Sequence, residues 1–546
     1  MKYHNQDKMM KVRNIIHSLS ILLLSSSAFA QKNLSEQVNV VRAYKPILAE
    51  AVKINSNAEI KFEQEGKTTP EYHFLSHRID SNLKLNAVAV EKMKNESIAK
   101  LYRYYIRMAG GNYRSSYLEA WANNLRSKEW ILSTHYRHRA SASSLKNYDN
   151  MAFSENTINA NAKRIYNKQT VSLALLYDRD VNHYYGYNHS KFELEPRSVR
   201  QQYDLFGLQS EIISNHNNTN EIKYNGRFDF YTLKDFFNAT ENRFSLNASG
   251  VYKEFESKIL FDFAKYADTL DQENNLFGME NLMHLKESGI DINIGFNMYQ
   301  EFGKTNLFHI YPNVSASYDY TDFDAKIYAG LKGGMRKNSL RTIYTENPFV
   351  RDNINIENTN EKINLYAGIR GRIDSKNSYQ INISYLKTDN EMYYLADADT
   401  VTRYHVIYDG ADASEMQISL NYAHQSNEKL RINGNFEYRI FNTDTLDVAL
   451  FKPSTRLALS AEYNIANKFL LNTELYGYSK MNSATITGQR KEIDGGVDLN
   501  IGIDYRYSKM ISVYLNLNNL LNYKRENYLF YPGFGFQAML GASFRF

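Results

Sequence analysis

His135 and His138, in "STHYRHR", are the first residues along the chain whose type could hold a metal or move a proton near neutral pH. Three positions apart on an extended backbone, they face opposite sides and cannot share one ligand. His183 and His189, in "NHYYGYNH", fall in an expected loop and offer two imidazoles, but no cysteine or carboxylate constellation accompanies them. The acidic turn "ADADT", Ala396 to Thr400, lacks the glycine and the closing glutamate of a calcium loop. Asn238-Ala239-Thr240 matches a glycosylation acceptor in form only. No nucleophile with a base and no carboxylate pair can be assembled, so the chain is expected to be no enzyme and to carry no catalytic residue, cofactor or metal.

The remaining candidates are charges set in alternating runs: Arg370, Arg372, Arg431, Arg439, Asp498, Asp504, Arg506 and Arg545. In "LRINGNFEYRI" Leu430, Ile432, Gly434, Phe436, Tyr438 and Ile440 share one face of a strand, while Arg431, Asn433, Asn435, Glu437 and Arg439 share the other. "VDLNIGIDYRY" from Val497, "ISVYLNLN" from Ile511, "INLYAGIRGRI" from Ile363, "MQISLNY" from Met416 and "LALSAEY" from Leu457 repeat the pattern. The chain stops on "GFGFQAMLGASFRF", where Phe534, Phe536, Ala538, Leu540, Ala542, Phe544 and Phe546 form an apolar face up to the last residue. Charges on the polar face would either tune solute passage or pair across neighbouring strands, and pairing is the favoured reading.

Alternation alone does not say whether the apolar face meets a closed core or lipid. Three features together choose lipid. The runs are about ten residues long, suited to a tilted bilayer crossing; tyrosines mark many run ends, in a chain with Tyr 44 and Phe 29 against Trp 2 and Pro 7; and the chain begins with an export signal. In that signal Lys8, Lys11 and Arg13 precede an apolar run from Ile15 to Leu24, and Ala28-Phe29-Ala30 places cleavage before Gln31. With Cys 0, neither a lipidated cysteine nor a disulfide framework is available. The formal net charge of +5 is spread along the chain, giving no basic cluster for nucleic acid. Hydropathy averages −0.55, and after the leader no stretch is long and apolar enough for a membrane helix.

The expected fold is therefore all-β: a transmembrane antiparallel β-barrel of the bacterial outer membrane, with about twenty runs from Ile98 onward suggesting roughly 22 strands within about 16 to 22. Residues 1–30 read as the signal peptide, 31–93 as an extended segment in the periplasm or the lumen, and 94–546 as the barrel.

The closing stretch "VYLNLNNLLNYKRENYLFYPGFGFQAMLGASFRF" resembles the last two strands of TonB-dependent outer-membrane receptors, in which an asparagine-rich turn, here Asn518 to Asn522, precedes a loop and a final strand ending in an aromatic residue. "TIYTENPFV" (Thr342 to Val350) and "AYKP" (Ala43 to Pro46) are similar to segments of the receptor-like barrels of Bacteroidota. The resemblance implies transport of a solute and makes Phe546, Phe544, Ala542, Leu540 and Phe536 the face read by the barrel-assembly machinery. That family places a plug domain before its barrel, whereas residues 31–93 are too few for one, which leaves a passive channel or a gate supplied by a separate plug, TonB or another envelope protein. Val38, Val40, Val41, Tyr44 and Pro46 form a candidate partner-binding segment, alternatively a tail pairing with a sheet edge or the lumen wall. The alternative function is a non-transporting scaffold within an outer-membrane complex.

Overall fold

The computed structural model describes residues 101–142, 148–216, 220–269, 271–397, 401–426 and 429–546. The expected signal peptide, the 31–93 segment and its residues Val38, Val40, Val41, Tyr44 and Pro46 lie outside them. From Tyr104 onward, antiparallel strands join into a single 22-stranded sheet that closes when Tyr104–Gly111 pairs with Gln537–Arg545. Closure is a physical necessity, because in hydrocarbon every unpaired backbone group of an open edge would cost several kcal/mol, on the order of a lost hydrogen bond each. Phe546 extends the seam by one residue: its carbonyl accepts from the Arg103 and Tyr104 amides, and its own amide donates to the Tyr104 carbonyl.

Side-chain alternation then assigns the faces. Phe436, Tyr438, Ile440, Val497, Ile503, Val513, Leu365 and Leu420 all point out and are exposed, whereas Arg439, Asp498, Ser512 and Tyr514 point into the lumen and are buried. Exposed Tyr104, Tyr166, Tyr252, Tyr320, Tyr463, Tyr507 and Phe546 cluster at one end of the barrel, next to the short turns, as an interfacial girdle requires. Strands run longer than the expected ten residues, up to 15 in Gln169–His183 and 17 in Asp271–Glu287, because their far ends continue past the apolar belt. The final strand is instead shorter than its alternation, since Phe534 and Phe536 precede it. Their backbone is held by asparagines of the "NNLLN" turn: Asn519 Nδ2 donates to the Phe534 carbonyl at 3.1 Å, and Asn522 Oδ1 accepts the Phe536 amide at 2.9 Å. Among the described residues no helix is long and apolar enough to cross a membrane.

The two ends differ. Chain end and short turns share one, which the general pattern of such barrels places in the periplasm. The other, extracellular by the same pattern, carries long connections at 184–199, 337–358, 390–412, 443–454, 479–495 and 519–536. These are not bare loops. One holds the helix Leu340–Glu346, begun by a capping box in which Ser339 and Thr342 exchange side-chain and backbone hydrogen bonds. Others form hairpins, Glu391–Ala396 with Tyr404–Asp409 and Met481–Ala484 with Arg490–Ile493.

Candidate functional site

The long connections fold inward and build an apolar cap within the barrel mouth. From the wall come the lumen-facing Leu176, Tyr203, Leu205, Tyr231 and Leu233, and from the connections Ile343, Tyr344, Val350, Tyr394, Tyr404, Met481, Ile493, Tyr528 and Tyr531, all in one buried cluster. Tyr344 stacks on Tyr203 with centroids 4.2 Å apart, bringing the short helix against the wall. Phe349 stacks on Tyr531, and Tyr531 in turn covers Gly186, where an added Cβ would lie 2.6 Å from the ring. Only a residue without a side chain permits that approach.

Several phenols of the connections find an acceptor in another connection, as burial in an apolar site favours. Tyr404 donates to the Leu529 carbonyl at 2.9 Å, Tyr184 to Val350 at 2.8 Å, Tyr185 to Pro532 at 3.1 Å, and Tyr531 to Thr402. Burial raises the Tyr404, Tyr528 and Tyr531 phenols well above the ordinary tyrosine range, which keeps them neutral donors. Backbone bonds add to the weave: the Thr402 amide reaches the Gly186 carbonyl, and the Ile486 amide reaches Ala396, both at 2.8 Å.

Polar groups fasten the same cap to the wall. Glu241, buried on the lumen face, accepts from the Tyr231 hydroxyl at 2.6 Å and from the Leu340 and Arg341 amides, so it ties the first turn of the helix to its strand. Lys337 donates to Asp262 Oδ1 at 2.6 Å, and Asp262 also pairs with Arg243 on the neighbouring strand. Gln272 brackets Ile354 and Ile356 by accepting from one amide and donating to the other residue's carbonyl. At the base of its hairpin, Asp409 accepts from the Asp444, Thr445 and Leu446 amides and the Thr445 hydroxyl, fixing the 443–454 connection. The arrangement packs the connections together within the mouth of the ring that carries the membrane load.

The sequence-derived candidates fall elsewhere. His135 and His138 do face opposite sides: His135 lies against Glu119 in the lumen at 3.1 Å, and His138 bonds Ser116 and Asn156. His183 ends a strand rather than lying in a loop, and its Nδ1 meets the Ala152 carbonyl. His189 has both ring nitrogens engaged, with the Asp149 amide and the Tyr185 carbonyl, so it offers no free ligand atom. Among the described residues no group of three or more metal-ligating side chains comes together.

Of the lumen charges, Arg439 pairs with Glu437 at 2.6 Å, Arg431 with Glu462 at 3.6 Å and Arg372 with Asp324, while Arg370 and Arg545 lie over the Tyr328 and Tyr105 rings. Leu540 and Phe546 are exposed on the outer face, Ala542 and Phe544 share it, and Phe536 lies one residue ahead of the strand. Sequence reasoning missed the cap. Its one visible signal was the stretch Thr342 to Val350, which supplies all but the first two residues of the helix Leu340–Glu346 and the Phe349 ring.

No family model matches the sequence, and no curated protein does. Solved structures do match. The FrpB iron transporter from Neisseria meningitidis (F3-3 variant) superposes with a TM-score of 0.62 at 9% identity, covering 82% of each chain. The pyoverdine outer membrane receptor FpvA from Pseudomonas aeruginosa PAO1 gives 0.61 at 11% identity over 83% of this chain and 79% of its own. This is the fold of an outer-membrane receptor barrel. The siderophore receptor PirA from Acinetobacter baumannii matches similarly, at 0.60 and 11% identity over 81% and 80% of the two chains. At such identities the likeness concerns architecture alone. Together with the closed ring and its exposed apolar belt it places the chain in the bacterial outer membrane.

Proposed function

We propose that this barrel moves a solute across the outer membrane and that the cap is its gate. The observation that carries the reading is the construction of the mouth: a ring stabilised by its own closed sheet, and within it long connections packed on one another and on the lumen face of the wall. A wall that stays closed against lipid while a lid within it moves is what gated passage needs. The iron transporter and siderophore receptors that share the fold support solute movement by analogy of architecture. Leu540, Ala542, Phe544 and Phe546 act as the assembly face in this reading, and the segment around Val38 to Pro46 supplies the contact to a periplasmic partner.

The test is solute flux into vesicles carrying the purified full chain. A flux that rises when the Phe349–Tyr531 stack is removed supports the gate. Silence of both forms, with proteins co-purifying in fixed ratio, favours the second reading, a scaffold, for which the packing of the connections in the mouth is the supporting observation.

A further inference from the structure

Four cations, Arg439, Lys452, Arg456 and Arg525, line one narrow cleft where the 443–454 and 519–536 connections meet the wall, with Glu346 as the single carboxylate on its surface. Their surroundings differ. Arg439 is engaged by Glu437 and Glu415, and Lys452 by Glu391. Arg525 is buried, donates to Asn527 Oδ1 at 2.6 Å, and lays its guanidinium over the Tyr476 and Tyr478 rings. The Arg456 side chain makes no hydrogen bond and no ion pair with any described residue, although Glu437 sits opposite it on the adjacent strand, and its Nε is shut off from solvent without an acceptor. A guanidinium left unsatisfied beside Arg439 is costly in isolation, since buried charges are ordinarily paired. The cleft leaves room for about three waters, the size of one small charged group.

We propose that this cleft is an oxyanion site, in which Arg456 grips the anionic group of a solute as a two-pronged donor while Arg525, held flat by the two tyrosines, faces it from the cap. A planar fork of N–H groups suits carboxylate or phosphate oxygens and adds geometric selectivity to charge. Because wall and connections contribute one arginine each, an occupant ties the lid to the ring. The inference deepens the transport reading and rests on it for the identity of the occupant as cargo: the gate recognises solutes by an anionic head.

The test is equilibrium binding of inorganic phosphate and of citrate to the purified full chain in detergent, with Arg456→Gln and Arg456→Lys variants checked for folding by heat-modifiable migration. Saturable binding of one anion, weakened at least about tenfold by Arg456→Gln and less by Arg456→Lys, is expected, and which anion binds distinguishes a phosphate from a carboxylate head. No saturable binding of either anion to the native chain, or equal binding by the folded variants, overturns the site. Should Arg456→Gln fail to fold, the Lys variant carries the comparison, since it keeps the charge and loses the fork. Binding without vesicle flux would defeat the transport reading and leave the site standing; flux without binding would do the reverse.

Discussion

Phe349 lies flat on Tyr531, with ring centroids 3.7 Å apart and planes 19° apart, so that the segment following the short helix is pressed onto the connection that leads into the final strand. The two residues belong to different connections and meet in the cap rather than on the wall. Tyr531→Ala removes the stack, the cover over Gly186 and the hydroxyl that reaches Thr402, and is expected to cost the cap about 3 kcal/mol. The ring of strands should be unaffected. Limited proteolysis checks this: connections 337–358 and 519–536 become cleavable together while the barrel keeps its heat-modifiable migration.

Glu241 holds the helix Leu340–Glu346 by its backbone. Glu241→Gln preserves volume but replaces charge-assisted acceptance with a weaker neutral one, an expected loss of about 2 kcal/mol for docking of that helix. Hydrogen exchange at the Leu340 and Arg341 amides should rise accordingly, with exchange in the strands unchanged.

The Lys337–Asp262–Arg243 cluster separates two variants by the charge each leaves uncompensated. Asp262→Asn strands two cations in a buried site and should cost roughly 3 to 5 kcal/mol. Lys337→Met leaves Asp262 still matched with Arg243 and should cost clearly less. Denaturant titration of the two proteins, followed by fluorescence of the cap tyrosines, gives the order directly.

Two carboxylates in the connections respond to pH in opposite directions. Burial would raise the Asp409 carboxyl, but the Asp444, Thr445 and Leu446 amides and the Thr445 hydroxyl hold it below the ordinary aspartate range. Its contribution is therefore present above about pH 4 and is lost as pH falls through the depressed value. Burial raises Glu526, so its contribution is present below the ordinary glutamate pKa and is lost as pH rises through the raised value. Acidification should release the 443–454 connection while tightening 519–536, and Glu526→Gln should tighten the latter at neutral pH. Site-resolved hydrogen exchange between about pH 3 and 7 reads both.

Phe546 carries its ring 5.2 Å from that of Tyr104 while its backbone joins the seam. Phe546→Ser keeps the backbone bonds and removes the ring. The assembly role predicts a several-fold fall in folded barrel in cells with nearly native refolding from denaturant into detergent. Equal losses in both would mean that the ring serves only the seam.

The ring was legible because its determinants are local. Each run from Leu430, Val497 or Ile511 states by alternation which residues meet lipid, and the seam needs no information beyond closure. The paired lumen charges were legible for the same reason, since partners such as Arg431 and Glu462 sit opposite each other on adjacent strands. The cap was not. Its contacts join positions as distant as Tyr184 and Val350, or Tyr404 and Leu529, through turns with no period to read. The boundary of the last strand was misplaced because Asn519 and Asn522 reach back to the backbone of Phe534 and Phe536, a tertiary effect that alternation cannot register. Arg456, one residue ahead of the alternating run from Leu457, carries no sequence signal that sets it apart; only the packing around its Nε does.

In the proposed gate the connections shut the outer mouth, and the absence of cysteine allows a direct measurement. Ser460, half-buried on the lumen face of the wall, becomes a single reporter as Ser460→Cys. Labelling by a bulky, membrane-impermeant maleimide added outside intact cells is then timed with the cap native and with Tyr531→Ala. A shut mouth predicts labelling at least about tenfold slower with the native cap. Equal and rapid labelling of both would contradict it.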